Sequence, residues 1–208
     1  MKKFVLIITT LLFIQIDEKK VDNFGVCNPE KSLENNVISG KKEKISANIK
    51  NYDPNDKIII IGLENVSQDR LLEAEKVLKR FYRFKTRVIN TRYAIYERFY
   101  YNDERKIIDP DMLVRAAAKE FETTDKILFI TNKEMYANNT FCRGYTTVEG
   151  RVLISKDDSF MEETIIHEVG HTYGLLHCND LKCVMAIYND EFDEGKFCDI
   201  CRRQINYY

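Results

Sequence analysis

The sequence lacks an excess of charge, a long apolar run and, outside one short segment, histidine. Its 32 basic and 33 acidic residues nearly cancel, so it carries no electrostatic footprint for nucleic acid or an anionic surface. No apolar run is long enough for a comfortable membrane span. With 44% hydrophobic and 12% aromatic residues, the chain can still bury one good core, and its length allows one domain or one domain with a tail.

The first residues differ from the rest of the chain. Residues 1–3 are Met-Lys-Lys, and residues 4–14 are apolar apart from two threonines, which together resemble the first two regions of a secretory signal peptide. No small-residue cleavage site follows. We expect residues 1–16 to be a signal peptide or an N-terminal anchor of an exported or membrane-anchored protein, with membrane association only through this segment if it stays uncleaved. The alternative is a hydrophobic strand or helix within a cytoplasmic domain. In an oxidising compartment Cys27 and Cys142 could pair.

Two regions follow this segment. Residues 17–53 are rich in Lys, Asn and Glu with little periodicity, which predicts a linker or extension. In residues 54–208, strand and helix patterns alternate, which predicts one α/β (α+β) domain with a mixed sheet and packed helices. Apolar runs predict strands at residues 57–62, 86–90, 126–131 and 151–155. Helical spacing predicts two helices, capped by Ser67 and Asp109, with these residues inward: Leu71, Ala74, Leu78 and Phe81, then Leu113, Ala116, Ala117 and Phe121.

The three histidines form one motif, H-E-x-x-H-x-x-G-x-x-H, from His167 to His177. On a helix, His167 and His171 lie about 6 Å apart along the axis and roughly 40° apart around it, so both imidazoles can reach one ion. Gly174 can take the left-handed conformation that ends a helix, which turns the chain and brings His177 in as a third ligand. With Glu168 on the flank of the same face, this spacing predicts a zinc site that performs hydrolysis.

The helix that carries the motif has its own start signal. Ser159 and Glu162 have the spacing of a capping box, which predicts a helix from about Ser159 to Gly174. H-E-x-x-H alone is short enough to occur by chance on a surface helix, but Gly174, His177 and a following methionine are separate geometric requirements. The apolar contacts of this helix are expected from Ile165, Ile166, Val169 and Tyr173.

The motif followed by Met185 resembles that of the metzincin zinc peptidases, which implies that Met185 is the Met-turn residue under the metal. Four cysteines make the chain similar to the archaemetzincin family in particular, and the resemblance covers about residues 159–201, with a weaker likeness upstream at 151–155. Twelve residues separate Met185 from Cys198, fewer than the archaemetzincin spacer usually has. The resemblance implies a metzincin-like zincin domain with a twisted mixed sheet, an active-site helix, a Met-turn and a C-terminal four-cysteine zinc site.

The four cysteines form two pairs, Cys178-x4-Cys183 and Cys198-x2-Cys201, whose spacing suits tetrahedral ligation of a structural zinc. Two disulfides are the alternative, although Cys-x-x-Cys is better suited to chelating one ion. An interaction or nucleic-acid element is a further alternative, but acidic residues outnumber basic ones around the cysteines. We therefore expect two Zn²⁺ per chain. Because Cys178 adjoins His177, folding of the cysteine site should help to fix the third histidine.

The ligand set predicts a mechanism. Three neutral imidazoles leave one position on zinc for a water molecule, whose pKa the ion lowers towards neutrality. Glu168 would take the proton as this water attacks a peptide carbonyl, and would deliver it to the departing amine. Tyr188 could help to stabilise the oxyanion, although simple packing is the alternative role for so abundant a residue type. An extended substrate is expected to pair with the strand just before the zinc helix, made of Arg151, Val152, Leu153, Ile154 and Ser155.

The sequence thus predicts a zinc-dependent metallopeptidase that acts as a monomer on a peptide or protein substrate, with no nucleic-acid partner. One alternative is a hydrolase of the same architecture that acts on non-peptide amides. The other is a zinc-stabilised binding module without turnover. Glu168 disfavours the last, because a structural site needs no base beside an open coordination position.

Overall fold

The computed structural model describes residues 50–93, 100–102, 106–147, 150–186 and 195–207. The predicted signal peptide or anchor, most of the predicted linker, Cys27 and Tyr188 lie outside these residues. Within them, no helix is long and apolar enough to cross a membrane.

The described chain forms four helices and nine strands. The helices are α1 (Gln68–Tyr82), α2 (Pro110–Glu120), α3 (Met161–Thr172) and α4 (Asp199–Gln204). The strands are β1 (Lys57–Leu63), β2 (Lys85–Tyr93), β3 (Tyr100–Asn102), β4 (Ile107–Ile108), β5 (Lys126–Thr131), β6 (Met135–Ala137), β7 (Thr140–Cys142), β8 (Gly144–Thr146) and β9 (Val152–Lys156).

Five strands form the main sheet, in the order β2-β1-β5-β9-β8. The first four are mutually parallel, and β8 pairs antiparallel with β9 at the end of the sheet. Both faces of the sheet are covered, which explains why β1 and β5 read as continuous apolar runs. On one face Leu128 and Ile130 of β5 pack with α1 and α3, and on the other Ile127 and Phe129 pack with α2. The predicted mixed sheet with packed helices is confirmed.

A second, smaller sheet was not predicted. It has the strand order β3-β4-β6-β7, and its strands are two or three residues long, too short to show a periodicity. Asn138 and Asn139 connect β6 to β7 with positive φ angles of 50° and 65°, which suit a tight hairpin turn. This hairpin leads directly into β8.

The predicted helix starts are confirmed for α1 and α2 and wrong for α3. Ser67 Oγ accepts from Arg70 N, and an Asp109 carboxylate oxygen accepts from Met112 N, as expected for N-caps. The third helix begins at Met161, two residues after the predicted start, and its N-cap Phe160 has no side-chain cap hydrogen bond. Asp158, one residue before Ser159, accepts from the Phe160 amide in place of the predicted capping box.

The described residues 50–53 are the end of the predicted linker. Its last residues pack on the domain, because Lys50 N donates to the Tyr173 carbonyl at 3.0 Å and Tyr52 N donates to the Ile205 carbonyl at 2.7 Å. The Tyr173 hydroxyl also donates to Asp56 at 2.6 Å. The two bonds of Tyr173 attach the end of α3 to the segment that precedes β1, and the Tyr52 bond attaches this segment to the end of α4.

Candidate metal centre

The end of α3 brings the three histidines together. His167 and His171 lie on α3, and Gly174 follows with a φ of 87°, in the left-handed region predicted for it. Leu175 N donates to the Gly170 carbonyl and Gly174 N to the His171 carbonyl, the bonding pattern of a Schellman cap. The chain reverses there and His177 returns to the same cluster, so the predicted grouping of the three histidines is confirmed.

The imidazoles converge on one point. Their ligand atoms lie within 4.8 Å of one another, and the Nε2 atoms of His167 and His171 are 3.0 Å apart. Nδ1 of His167 lies 2.7 Å from the Val184 carbonyl, and Nδ1 of His171 lies 2.7 Å from the Leu175 carbonyl. A carbonyl only accepts, so both Nδ1 atoms carry the proton and both Nε2 atoms present lone pairs. Two facing lone pairs at this distance favour a cation between them.

Burial keeps these ligands neutral. Desolvation lowers the pKa of His167, lowers that of His171 well below its usual value, and lowers the pKa of His177 to about 4. Three imidazoles that stay unprotonated at neutral pH are the donors that zinc takes. His177 Nδ1 is buried and has no hydrogen-bond partner among the described residues. A buried polar atom without a partner costs free energy, and a bound metal ion or water molecule would supply the missing partner. The residues present therefore fit a zinc ion.

Glu168 is buried on α3 and lies against a glycine of the main sheet, Gly144, which the sequence did not single out. A Cβ added at Gly144 of β8 would lie 2.6 Å from Glu168 Oε1 and 2.8 Å from Glu168 Cγ. The end strand therefore lies directly against the carboxylate, at a distance that only glycine allows. A glycine in or next to a strand can mark a close approach of the backbone to another group. Gly144 was therefore the one sequence feature that could have indicated this contact.

Met185, whose role as the Met-turn residue stays a prediction, packs against α3. It is fully buried, and a Cβ at Gly170 would lie 2.6 Å from Met185 Sδ. Because Gly170 stands between the first two histidines on α3, the methionine packs directly against the backbone that carries them. The same turn supplies the Val184 carbonyl to His167, a partner that only the tertiary structure identifies.

The four cysteines form a second cluster, with their sulfurs all within 4.8 Å of one another. The Sγ atoms of Cys178 and Cys198 are 3.8 Å apart and those of Cys183 and Cys201 are 3.7 Å apart. A tetrahedral zinc with Zn–S bonds of about 2.3 Å separates its sulfurs by about 3.8 Å. A disulfide would need about 2.05 Å. Hydrogen bonding with Cys201 lowers the pKa of the Cys183 thiol to about 5, while the same contact raises the pKa of Cys201. The cluster fits a metal ion.

The predicted substrate strand lies inside the sheet, and its role in substrate binding stays a prediction. β9 pairs with β5 on one side and with β8 on the other, so residues 151–155 offer no free edge. The side chains of Val152, Leu153, Ile154 and Ser155 are buried, and the Arg151 guanidinium donates to the carbonyls of Ala118 and Phe121 at the end of α2. Among the described residues, β8 is the last strand on this side of the sheet, and β2 is the last strand on the opposite side.

Comparison with known proteins identifies relatives of this region. Residues 125–207 match the model of peptidase family M54. Archaemetzincin of Natronomonas pharaonis is 30% identical over 106 residues, which cover 39% of this chain and 61% of that protein. Archaemetzincin of Nanoarchaeum equitans is 29% identical over 115 residues, covering 50% of this chain and 66% of that protein. The chain thus spans about three fifths to two thirds of these curated relatives.

Solved structures show the same fold. The crystal structure of archaemetzincin from Archaeoglobus fulgidus, complexed with malonate, aligns with a TM-score of 0.59 at 23% identity and covers 72% of this chain and 99% of that one. Archaemetzincin from Methanopyrus kandleri aligns with a TM-score of 0.58 at 19% identity and covers 74% and 94%. The resemblance to archaemetzincins that the motif predicted is confirmed.

Proposed function

We propose that this chain, whose residues 125–207 match peptidase family M54, is a zinc-dependent metallopeptidase. The observation that carries the proposal is the convergence of three neutral imidazoles beside a buried glutamate. A structural zinc site is closed by four protein ligands and needs no base. A catalytic site has three protein ligands, which leave one position open, and it needs a base.

The chemistry divides between the ion and Glu168. When bound by three histidines, zinc lowers the pKa of a water molecule and polarises a carbonyl. Glu168 accepts a proton from the attacking water and passes it to the departing amine. Gly144 of β8 confines its carboxylate, because a Cβ added at this glycine would lie 2.6 Å from Glu168 Oε1. This confinement holds the base in one position before substrate arrives.

The position of Gly144 against Glu168 favours substrate binding along β8, the end strand of the described sheet. An extended peptide can add to an unpaired strand edge through main-chain hydrogen bonds. A peptide paired there would pass next to Glu168, because Gly144 belongs to β8 and lies against the carboxylate. This docking differs from the pairing with residues 151–155 that the sequence predicted.

A second zinc ion is proposed for the four cysteines, with a structural role. The sulfur separations of 3.7 and 3.8 Å support it over two disulfides. The export of the chain through residues 1–16 and an oxyanion role for Tyr188 stay predictions, which N-terminal sequencing of the mature protein and Tyr188→Phe kinetics would test.

The proposal is tested by exposing a diverse peptide library to the purified, zinc-loaded protein, with and without a chelator. We expect cleavage that the chelator abolishes and added zinc restores. Cleavage of small amides but of no peptide would favour the non-peptide hydrolase. Peptide capture without cleavage by the zinc-loaded protein would favour the binding module. Cleavage that persists in excess chelator would overturn zinc chemistry altogether.

A further inference from the structure

The cysteine cluster is joined to the histidine cluster at more than one place. The first link is the one visible in sequence, the peptide bond between His177 and Cys178. The structure adds a hydrogen bond from the Cys178 amide to the Met185 carbonyl, at 2.9 Å. A single cysteine therefore holds both the third histidine and the methionine turn.

The second link runs through Cys183. Its neighbour Val184 supplies the carbonyl that accepts from His167 Nδ1 at 2.7 Å. The Val184 amide is itself held by the Lys196 carbonyl at 2.8 Å, and Cys183 Sγ accepts from the Cys198 amide at 3.3 Å. Any ion that fixes Cys183 also fixes the group that orients His167.

The third link runs through Phe197, the residue before Cys198. A Cβ at Gly170 would lie 3.2 Å from Phe197 Cε1, so this ring packs against α3 between His167 and His171. The ring is buried and also contacts Phe81 and Tyr82, with centroid separations of 5.8 and 6.4 Å. Three of the four cysteines thus have a chain neighbour that belongs to the histidine centre or touches the helix that carries it.

We propose that the cysteine cluster positions the histidine cluster, so that a metal ion on the four thiolates raises the affinity of the three histidines for zinc. The thiolate-bound ion removes the freedom of His177 and of Val184 before the second ion binds, so the histidine site loses less conformational entropy on binding. Such a coupling must be reciprocal, with each ion strengthening binding of the other by the same factor. The inference rests on metal occupancy of both clusters, as proposed above, but not on peptide hydrolysis.

The test uses full-length, reduced, metal-free protein with Cd²⁺ as the thiolate ion and Co²⁺ as the histidine ion. Soft thiolates select Cd²⁺, and histidine-bound Co²⁺ is recognised by visible bands without a sulfur charge-transfer band. Three proteins are first treated with Cd²⁺ in the same way: wild type, Cys201→Ser and the matched control Cys142→Ser. The affinity of the histidine cluster for Co²⁺ is then measured in each. Cys201 is chosen because its neighbours Ile200 and Arg202 are exposed and form none of the three links.

We expect Cys201→Ser to bind Co²⁺ at the histidines roughly 5- to 150-fold more weakly than wild type, and Cys142→Ser to bind it as wild type does. A Cys201→Ser protein that melts cooperatively and binds Co²⁺ with wild-type affinity overturns the proposal.

Should Cys201→Ser fail to fold, the reciprocal measurement needs no variant. Cd²⁺ affinity of the wild-type thiolates is measured in metal-ion buffers, with the histidines empty and then saturated with Co²⁺, by sulfur-to-cadmium absorbance. The proposal requires tighter Cd²⁺ binding when Co²⁺ is present, by the same factor, and equal affinities overturn it. Coupled metal binding in a protein that cleaves no peptide would leave this inference standing and remove the peptidase. Peptide cleavage by a protein whose two metal sites bind independently would support the peptidase and overturn this inference.

Discussion

Gly144→Ala is expected to lower peptide turnover by about 10²-fold while zinc stays bound. The added Cβ would lie 2.6 Å from Glu168 Oε1 and 2.5 Å from Thr164 Cγ2. Ordinary contacts between such atoms begin near 3.5 Å, so either the carboxylate or β8 must move by roughly 1 Å. A displacement of 1 Å in a catalytic group costs about 10²-fold in rate. The three atoms nearest to this Cβ belong to Thr164 and Glu168, so the strain falls first on the glutamate and not on a histidine.

The assay is kcat and KM on a cleaved peptide, with zinc content by elemental analysis and the pH–rate profile of each variant. A displaced base should shift the acidic limb of the profile, which simple loss of stability would not. Gly62→Ala is the matched control, because Gly62 lies in β1 of the same sheet and its added Cβ would meet Leu71 and Val66 at 3.2 to 3.4 Å. If Gly144→Ala keeps a wild-type kcat and profile, then Glu168 is not held by β8 and the reasoning fails.

Three further predictions follow from the described contacts. The metal-free protein should lose stability as pH falls from about 6.5 to about 4. Burial lowers the pKa of His177 in the folded state to about 4, so the unfolded chain binds more protons than the folded chain in this range. Tm measured against pH should therefore show a shallower slope in His177→Gln than in wild type. Tyr173→Phe removes the hydroxyl donated to Asp56 at 2.6 Å and should lower the free energy of unfolding by roughly 1–2 kcal/mol in urea titrations, whereas an unchanged value would mean that this bond is replaced by water. Elemental analysis should find two zinc ions per chain, and one zinc together with cysteines that no thiol reagent titrates would indicate disulfides.

Features that depend on neighbouring residues could be predicted from the sequence. The Ser67 cap and the turn at Gly174 are set by side chains and φ angles within a few positions, and both are confirmed. The histidine cluster follows because helix geometry and one left-handed glycine fix all three positions. The start of α3 was placed about two residues too early because the N-cap is Phe160, which has no side-chain cap hydrogen bond, so no capping residue marks this position in the sequence.

Features that depend on distant residues could not be predicted. Gly144 and Glu168 meet only because β8 pairs with β9, and a strand of three residues carries no periodic signal. The pairing of β8 with residues 152–156 was missed for the same reason, since the sequence of β9 does not show that another strand covers its edge. The Val184 carbonyl was invisible for another reason, because a backbone acceptor leaves no mark in the side-chain sequence.

The central claim, that Glu168 acts as the base at a histidine-bound zinc, is tested most directly by turnover of Glu168→Gln. Glutamine keeps the shape of the side chain and most of its hydrogen bonding but cannot accept the proton. The measurement is kcat on a cleaved peptide with zinc content determined on the same sample. The account predicts a fall of about 10²-fold or more with zinc retained. Wild-type turnover in a zinc-loaded Glu168→Gln protein would contradict it, and loss of zinc from this variant would assign Glu168 a structural role instead.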